Sequence, residues 1–349
     1  MTTAGGAEDP ILTNNGRWLK GGAGSGGNGP GGAGQEEMKV KGTGVIDAWP
    51  DLWAETDGEE DAWMEVFLDC LPCVLRQVLE ASRLATDRFD VQEAIMQEAT
   101  ALLSEYRKFR NAPELGGRMH QIVKRHTGVP DPYREVKAES IRDALQVYPF
   151  LERYLSEQVD PTERLYWTLK VAATGNIIDA ALGDRSACLK NFEAELVKRF
   201  AVCDLARFQR ELEQAKNLLI IGDNAGETVF DRLLMAYLPD LEIIYAVRGE
   251  PVINDATVDD VRASGFDPRI KVVSTGATTP GLILEECTAE FVTLFYQADL
   301  VISKGQGNFE ALLDEDGRDL FFLLKAKCPQ VAAILGVQVN DYVFKWHGR

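Results

Sequence analysis

The sequence predicts an α/β protein: a Rossmann-like, mostly parallel sheet with flanking helices, preceded by an α-helical domain. Three observations point to this. Residues 201–349 alternate short apolar runs with stretches of helical spacing, the pattern of βαβ units. Residues 63–200 show helical periods and no strand pattern. Residues 1–62 hold fifteen of the thirty-one glycines and three of the six tryptophans, and end in the acidic run ETDGEEDA.

In chain order, residues 1–62 read as a disordered, glycine-rich and acidic extension. Its GGAGSGGNGPGGAG is no phosphate loop, because no apolar strand precedes it and no Lys-Ser/Thr follows. Two readings of the extension stand: an interaction tail, or a start codon assigned upstream of a true start at Met38 or Met64. Residues 63–200 form the helical domain. MEVFLDCLPCVLRQVLEASRLA, VQEAIMQEATALLSEY and ERLYWTLKVAATGNIID carry apolar residues at i, i+3, i+4, the last interrupted by Gly175. RHTGVPDPYREVK reads as a loop, since Gly-Val-Pro-Asp-Pro does not continue a helix. Residues 201–349 then give the strands NLLIIGD, LEIIYAVRG, KVVSTG, DLVISKG and FFLLKA, with helices between them. LILEECTAEFVTLFYQA reads as one of those helices. A short VAAILGV segment and the strand VQVNDYVFKW close the chain.

Composition narrows the function. At 349 residues and 45% hydrophobic, the chain is long enough for a sizeable core. A formal net charge of −18 sets it against nucleic acid and anionic membrane as partners. No run approaches the roughly eighteen apolar residues that span a bilayer, and no basic-then-apolar signal pattern opens the chain. Six cysteines in such a chain read as reduced, cytoplasmic thiols. An anionic substrate would need a local offset to the field, from a divalent metal and a few Lys or Arg.

Ligands of open parallel sheets bind beyond the carboxyl ends of the strands. There the chain places Asp223-Asn224, then Arg248 and Asp255, then Ser274-Thr275, then Lys304-Gly305-Gln306-Gly307-Asn308. Two carboxylates and an amide oxygen, completed by water, suit a hard octahedral cation. Each also has a plain reading as a helix cap: Asp223-Asn224 for the helix near Gly226, and Asp255 in NDATVDD. Arg248 and Lys304 read as anion clamps, and the turn around Gly305 offers backbone N–H groups to phosphate. Glu227 and Glu310 read as first-turn carboxylates that favour the helix dipole. Asn176 and Asp179 share a helical face and stand where a cap could reach the cleft. Cys70 and Cys73 read as packed thiols rather than half of a zinc site, with Cys188, Cys203, His120 and His126 as loose further ligands. There is no GxGxxG after the first strand, no GxxxxGK[ST], and too few histidines for a Ser-His-Asp arrangement.

LDCLPCVLRQVLE, GNIIDAAL, IGDNAGETVFD, RGEPVINDAT and SKGQGNFEAL, in that order, resemble the metal-dependent damage-control phosphatases. This family was formerly the domain-of-unknown-function family number 89 and is now called ARMT-like. The likeness is greatest to its cysteine-containing archaeal and bacterial branch, and covers roughly residues 64–349. The resemblance implies helices on a Rossmann-like domain and a divalent metal (Mg²⁺, Mn²⁺, Co²⁺ or Ni²⁺) held by Asp223, Asn224 and Asp255. It further implies Lys304 on the phosphate, with Arg248, Asn176 and Asn308 as substrate contacts. The substrate it implies is a small phosphomonoester, a sugar phosphate or a damaged phosphometabolite. The attacking oxygen is left open between metal-bound water and Asp223. A methyltransferase activity has been attributed to some relatives, but no glycine-rich loop here argues for a methyl donor. Two rivals stand beside the phosphatase: a Rossmann-type methyltransferase or NAD-dependent enzyme, and a non-enzymatic metal- or nucleotide-binding regulatory module.

Overall fold

A computed structural model of the chain describes residues 65–175 and 194–348, together with Ile11–Leu12 and Trp18–Leu19. The coordinates divide into two units, Met1–Ala62 and Trp63–Arg349. In the first, β1 (Ile11–Leu12) pairs antiparallel with β2 (Trp18–Leu19). The expected disorder of the rest of residues 1–62, and the positions Asn176, Asp179 and Cys188, lie outside the described residues.

The second unit begins with helices α1 (Cys70–Ala85), α2 (Phe89–Leu103), α3 (Ala112–Thr127), α4 (Arg134–Ser156) and α5 (Pro161–Thr174). Their starts follow from local chemistry. Asn111 caps α3 by accepting from the Glu114 N–H at 3.0 Å, and Asp160 caps α5 through the Glu163 N–H at 2.9 Å, each with proline in the first turn. The stretch expected as a loop over 125–137 is shorter than that. Gly128, in the left-handed conformation, ends α3, and Pro130 and Pro132 occupy the connection to Arg134. Val78, Ala81, Ile95, Leu115, Met119 and Val123 form a core among α1, α2 and α3.

A seven-stranded sheet follows, in the order β3-β9-β8-β7-β4-β5-β6. Its strands are β3 (Phe200–Cys203), β4 (Asn217–Ile221), β5 (Glu242–Val247), β6 (Lys271–Ser274), β7 (Leu300–Lys304), β8 (Leu320–Lys325) and β9 (Tyr342–His347). Every pair is parallel except β8 with β9. Among the described residues, six helices flank it: α6 (Leu205–Leu212), α7 (Glu227–Tyr237), α8 (Val258–Ala263), α9 (Ala289–Gln297), α10 (Gln306–Leu312) and α11 (Pro329–Leu335). The sheet is covered on both faces. Leu218 and Ile220 of β4 enter one apolar cluster while Leu219 and Ile221 enter the other, as alternation along a doubly buried strand requires.

Several elements differ from the sequence expectation. Helices α4 and α6 and the short strand β3 were not foreseen, and the closing strand is confined to Tyr342–His347. LILEECTAEFVTLFYQA is not one helix but a 3₁₀ turn, Leu284–Glu286, followed by α9, which Thr288 caps by accepting from the Phe291 N–H. Among the described residues, no helix is long and apolar enough to cross a membrane.

The topology fixes where a ligand can bind. From β4 the chain moves outward through β5 and β6, then returns to β7 on the other side of β4. The carboxyl ends of β4 and β7 therefore flank the switch point, the site for ligands in such sheets. The helices are keyed onto this edge. Lys137 of α4, almost fully buried, binds Asp131 at 2.7 Å and Asp260 of α8 at 2.9 Å. Gly117 of α3 lies against Thr279 so closely that a Cβ would stand 2.5 Å from its methyl group.

His120 of α3 sits in the helical core edge-on to Tyr133, with Nε2 unpartnered. Burial, with a smaller push from Lys124, holds it down at about 4, against about 6.5 for a free histidine. The unfolded chain therefore binds more protons than the folded one between these values. Stability is full above about pH 6.5 and falls as pH drops through about 4, by roughly 3 kcal/mol at most. Urea unfolding of the wild type and His120→Leu across pH 4 to 7 should show this part of the slope missing in the variant.

Candidate active site

Beyond β4 the ladder runs on for one residue, with the Gly222 N–H on Ala246 O at 2.9 Å, and the chain then turns out at Asp223 and Asn224. Beyond β5 the loop 248–257 doubles back. Arg248 N–H meets Ala256 O at 3.0 Å, Ala256 N–H meets Asp223 O at 2.8 Å, and Ala225 N–H meets Asn254 O at 2.9 Å. Asn224 and Asp255 thus form an isolated antiparallel bridge, and the two loops are sewn together at the backbone. The reversal needs Ile253 at a φ of 47°, a left-handed conformation unusual for a β-branched residue. Its side chain is packed against the helical core.

The capping readings of these residues are not realised. The N-cap of α7 is Gly226, without a side-chain bond. The N-cap of α8 is Thr257, in a reciprocal capping box with Asp260. Asp223, Asn224 and Asp255 are therefore free of helix duty, buried, and in the wall of one cavity of about 230 Å³.

Their charges are arranged in a chain. Asn224 donates Nδ2 to Asp223 Oδ2 at 2.9 Å and to Glu227 Oε1 at 2.8 Å, which leaves its carbonyl oxygen as an acceptor. Glu227 Oε2 takes Lys304 Nζ at 2.8 Å, and Lys304 also meets Asp231 Oδ1 at 2.6 Å. Tyr245 closes the row by donating to Asp231 Oδ2 at 2.6 Å. On the other side Arg248 donates Nε to Asp255 Oδ2 at 2.7 Å and Nη2 to Asn308 Oδ1 at 2.8 Å. Asn308 donates its amide to the carbonyls of Gly222 and Lys304. Arg248 Nη1 is buried without a partner.

Burial, then the charges of Glu227 and Asp255, push Asp223 up to about 8. Burial also raises Asp255, against the charge and hydrogen bond of Arg248. Asp231 is pushed up to about 6 by burial, against Lys304. Burial alone would lower Lys304; Asp231 and Glu227 outweigh it and hold the lysine above its usual range. Negative charge is thus in surplus around Asp223 and Asp255. Among the described residues, no group of three or more His, Cys, Asp or Glu side chains is disposed to hold a metal ion by itself. Two carboxylates and one amide oxygen nonetheless fit a hard divalent cation that keeps water in its other positions.

Gly305 stands where β7 comes against β4. Its φ is 84°, and a Cβ there would lie 2.1 Å from the Asp223 carboxylate. Any other residue would occupy the space of that carboxyl group. Of the residues singled out in the sequence, Asp223, Asn224, Asp255, Arg248, Lys304, Gly305 and Asn308 are brought together. Lys304, however, is sealed between Glu227 and Asp231, and Asn308 is occupied by backbone and Arg248. Both hold the frame. Glu227, read as a helix-dipole carboxylate, instead binds Asn224 and Lys304, while Asp231 and Tyr245 were missed. The signal was the four-residue spacing of Glu227 and Asp231, which puts both carboxylates on one helical face. Among the described residues the loose zinc ligands do not assemble: His120 lies in the helical core, His126 binds Glu98, and Cys203 is in β3. Cys70 and Cys73, expected as packed thiols, instead line the cavity together with Cys328, and Cys73 is exposed.

The family model for the damage-control phosphatase ARMT1-like domain matches residues 66–343. The damage-control phosphatase PH1575 of Pyrococcus horikoshii is 33% identical over 279 residues, which are 78% of this chain and 95% of that protein. A damage-control phosphatase of Archaeoglobus fulgidus is 33% identical over 285 residues, 79% of this chain and 97% of its own. The crystal structure of PH1575, described as a DUF89 family protein, superposes with a TM-score of 0.73 at 32% identity, covering 80% of this chain and 98% of that one. Matched over residues 66–343, the chain belongs to the damage-control phosphatase ARMT1-like domain family.

Proposed function

We propose that this chain is a cytoplasmic, metal-dependent phosphatase of small phosphomonoesters, such as sugar phosphates or damaged phosphometabolites. The observation that carries this is the backbone bridge between Asn224 and Asp255. It sets two buried carboxylates and an amide oxygen side by side in one cavity wall, at the switch point of the sheet. Asp223, Asn224 and Asp255 would hold a divalent cation, and the surplus charge that raises Asp223 is what such a cation offsets. When bound, the metal supplies charge neutralisation and orientation for in-line displacement at phosphorus.

The chain's own residues do the rest. Asn224, fixed by Glu227, keeps Asp223 turned toward the ion. Arg248 holds Asp255, and its unpartnered Nη1 supports contact with a phosphate oxygen. Lys304 acts through Glu227 as a positioning residue. The cavity reaches past the acidic pair to α1, α3 and α10, where the alcohol part of the ester would lie. The names of the relatives support a phosphatase acting on damaged metabolites, and the chain's charge disfavours nucleic acid as substrate.

Phosphate release from sugar phosphates, nucleotides and other phosphomonoesters, with Mg²⁺, Mn²⁺, Co²⁺ or Ni²⁺ and with EDTA as control, tests the reading. Asp223→Ala should abolish turnover of every ester that the wild type accepts, even at high metal, and should also remove the thermal stabilisation by metal. Retention of most activity would rule out the metal assignment. Lys304→Met should leave Glu227 and Asp231 buried and unpaired. Chemical denaturation should then show a loss of about 3 kcal/mol or more.

A further inference from the structure

The cavity beside the acidic pair carries a second titratable group that the metal site does not use. Glu310 lies one helical turn beyond Gln306 on α10 and lines the same cavity as Asp223 and Asp255. Gln306 is fixed at both ends of its amide. Its Oε1 accepts from the Lys327 N–H at 2.7 Å, and its Nε2 donates to Glu310 Oε1 at 2.7 Å and reaches Cys328 Sγ at 3.4 Å. One oxygen of Glu310 is thereby tied back. Among the described residues no side-chain hydrogen bond engages the other oxygen, Oε2, and Glu310 lines the cavity. No cation forms an ion pair with Glu310 among the described residues, although Lys327 acts on it from a distance.

The groups around it leave Glu310 as the acid of this cavity. Asp69, which also lines the cavity, is engaged by Gln330 at 2.6 Å. Cys70 faces Glu310 from α1, and burial, followed by the charge of Glu310, pushes that thiol up to about 12. Cys328 faces it from the start of α11 and is raised as well, chiefly by burial. Neither thiol offers a proton near neutrality as readily as a carboxylic acid does. Burial pushes Glu310 itself up to about 7, against the hydrogen bond from Gln306 and the charge of Lys327, so it still holds a proton around neutral pH.

We propose that Glu310 is the general acid of the reaction, giving its Oε2 proton to the ester oxygen of the leaving alcohol. This rests on the phosphatase reading above. As the bond from phosphorus to the ester oxygen breaks, its electron pair goes to that oxygen, which takes the Glu310 proton and departs as the neutral alcohol. A water molecule supplies the oxygen that ends on phosphorus and the proton that restores Glu310. The assignment gives the enzyme a preference. Esters of aliphatic alcohols, whose alkoxides leave poorly, need the proton; aryl esters, whose phenolates are stable, do not.

The test compares wild type, Glu310→Gln and Glu310→Asp in the metal-loaded enzyme, on an alkyl phosphate and on 4-nitrophenyl phosphate. Glu310→Gln should lower kcat on the alkyl phosphate by about 100-fold or more. It should change turnover of the aryl phosphate by no more than about threefold, which also shows that the variant is folded. The wild-type pH profile on the alkyl phosphate should fall away above neutrality as Glu310 loses its proton, and the variant should lack that limb. Glu310→Asp should restore part of the alkyl activity. Equal losses on both esters, no loss on either, or an unchanged pH limb would overturn the assignment while leaving the phosphatase intact. Absence of phosphate release by the wild type with all four metals would overturn both readings, and an inactive Asp223→Ala beside an unaffected Glu310→Gln would overturn only this one.

Discussion

Four buried carboxylates, Asp223, Glu227, Asp231 and Asp255, share two buried cations, Arg248 and Lys304, at the carboxyl end of the central strands. Isolated charge in such a place is held only when it is paired, neutralised or offset by a metal. Arg248 and Lys304 each neutralise the outer members of the row, and the deficit is left at Asp223, the residue nearest the cavity in this chain of contacts. The sheet, the sewn loops and the docked helices all serve to keep that deficit in place. Were the carboxylates on mobile surface loops, water would screen them and the demand for a cation would vanish.

The same surplus explains why the chemistry sits in a chain of net charge −18. A phosphate dianion has no reason to approach the bare cluster. A divalent ion bound there would set four negative charges against four positive ones, and the proposed phosphoryl site would then be neutral. Lys304 cannot serve as a phosphate donor where it stands, because both of its ion pairs lie within the protein.

Much of this was legible in the residues. The alternation of NLLIIGD, LEIIYAVRG and DLVISKG with helical spacing is a local signal, and it placed Asp223, Asp255 and Lys304 at strand ends without any knowledge of the fold. What local pattern could not do was choose between cap and ligand for Asp223 and Asp255, since both roles use the same side chains after the same kind of strand. The structure removes the capping role alone: Thr257 takes it two residues after Asp255, and Gly226 caps without a side chain. The pairing of Lys304 with Glu227 and Asp231 was hidden for a different reason. It joins residues 77 positions apart for Glu227 and 73 for Asp231, and such partners emerge only when β7 is laid beside β4. Glu310 was read as a dipole partner of its helix; its role in the cavity depends on Gln306, Lys327 and Cys328, which no spacing rule connects.

Ile253 has a wider meaning. A β-branched residue in the left-handed region costs on the order of 1–3 kcal/mol, and such strain persists only where the surroundings hold it. Here the helical core holds it, since the Ile253 side chain is packed there. The bend that carries Asp255 to Asn224 is thus underwritten by residues that are not part of the sheet. A chain that lost the helices would lose the shape of its acidic loop along with its cover.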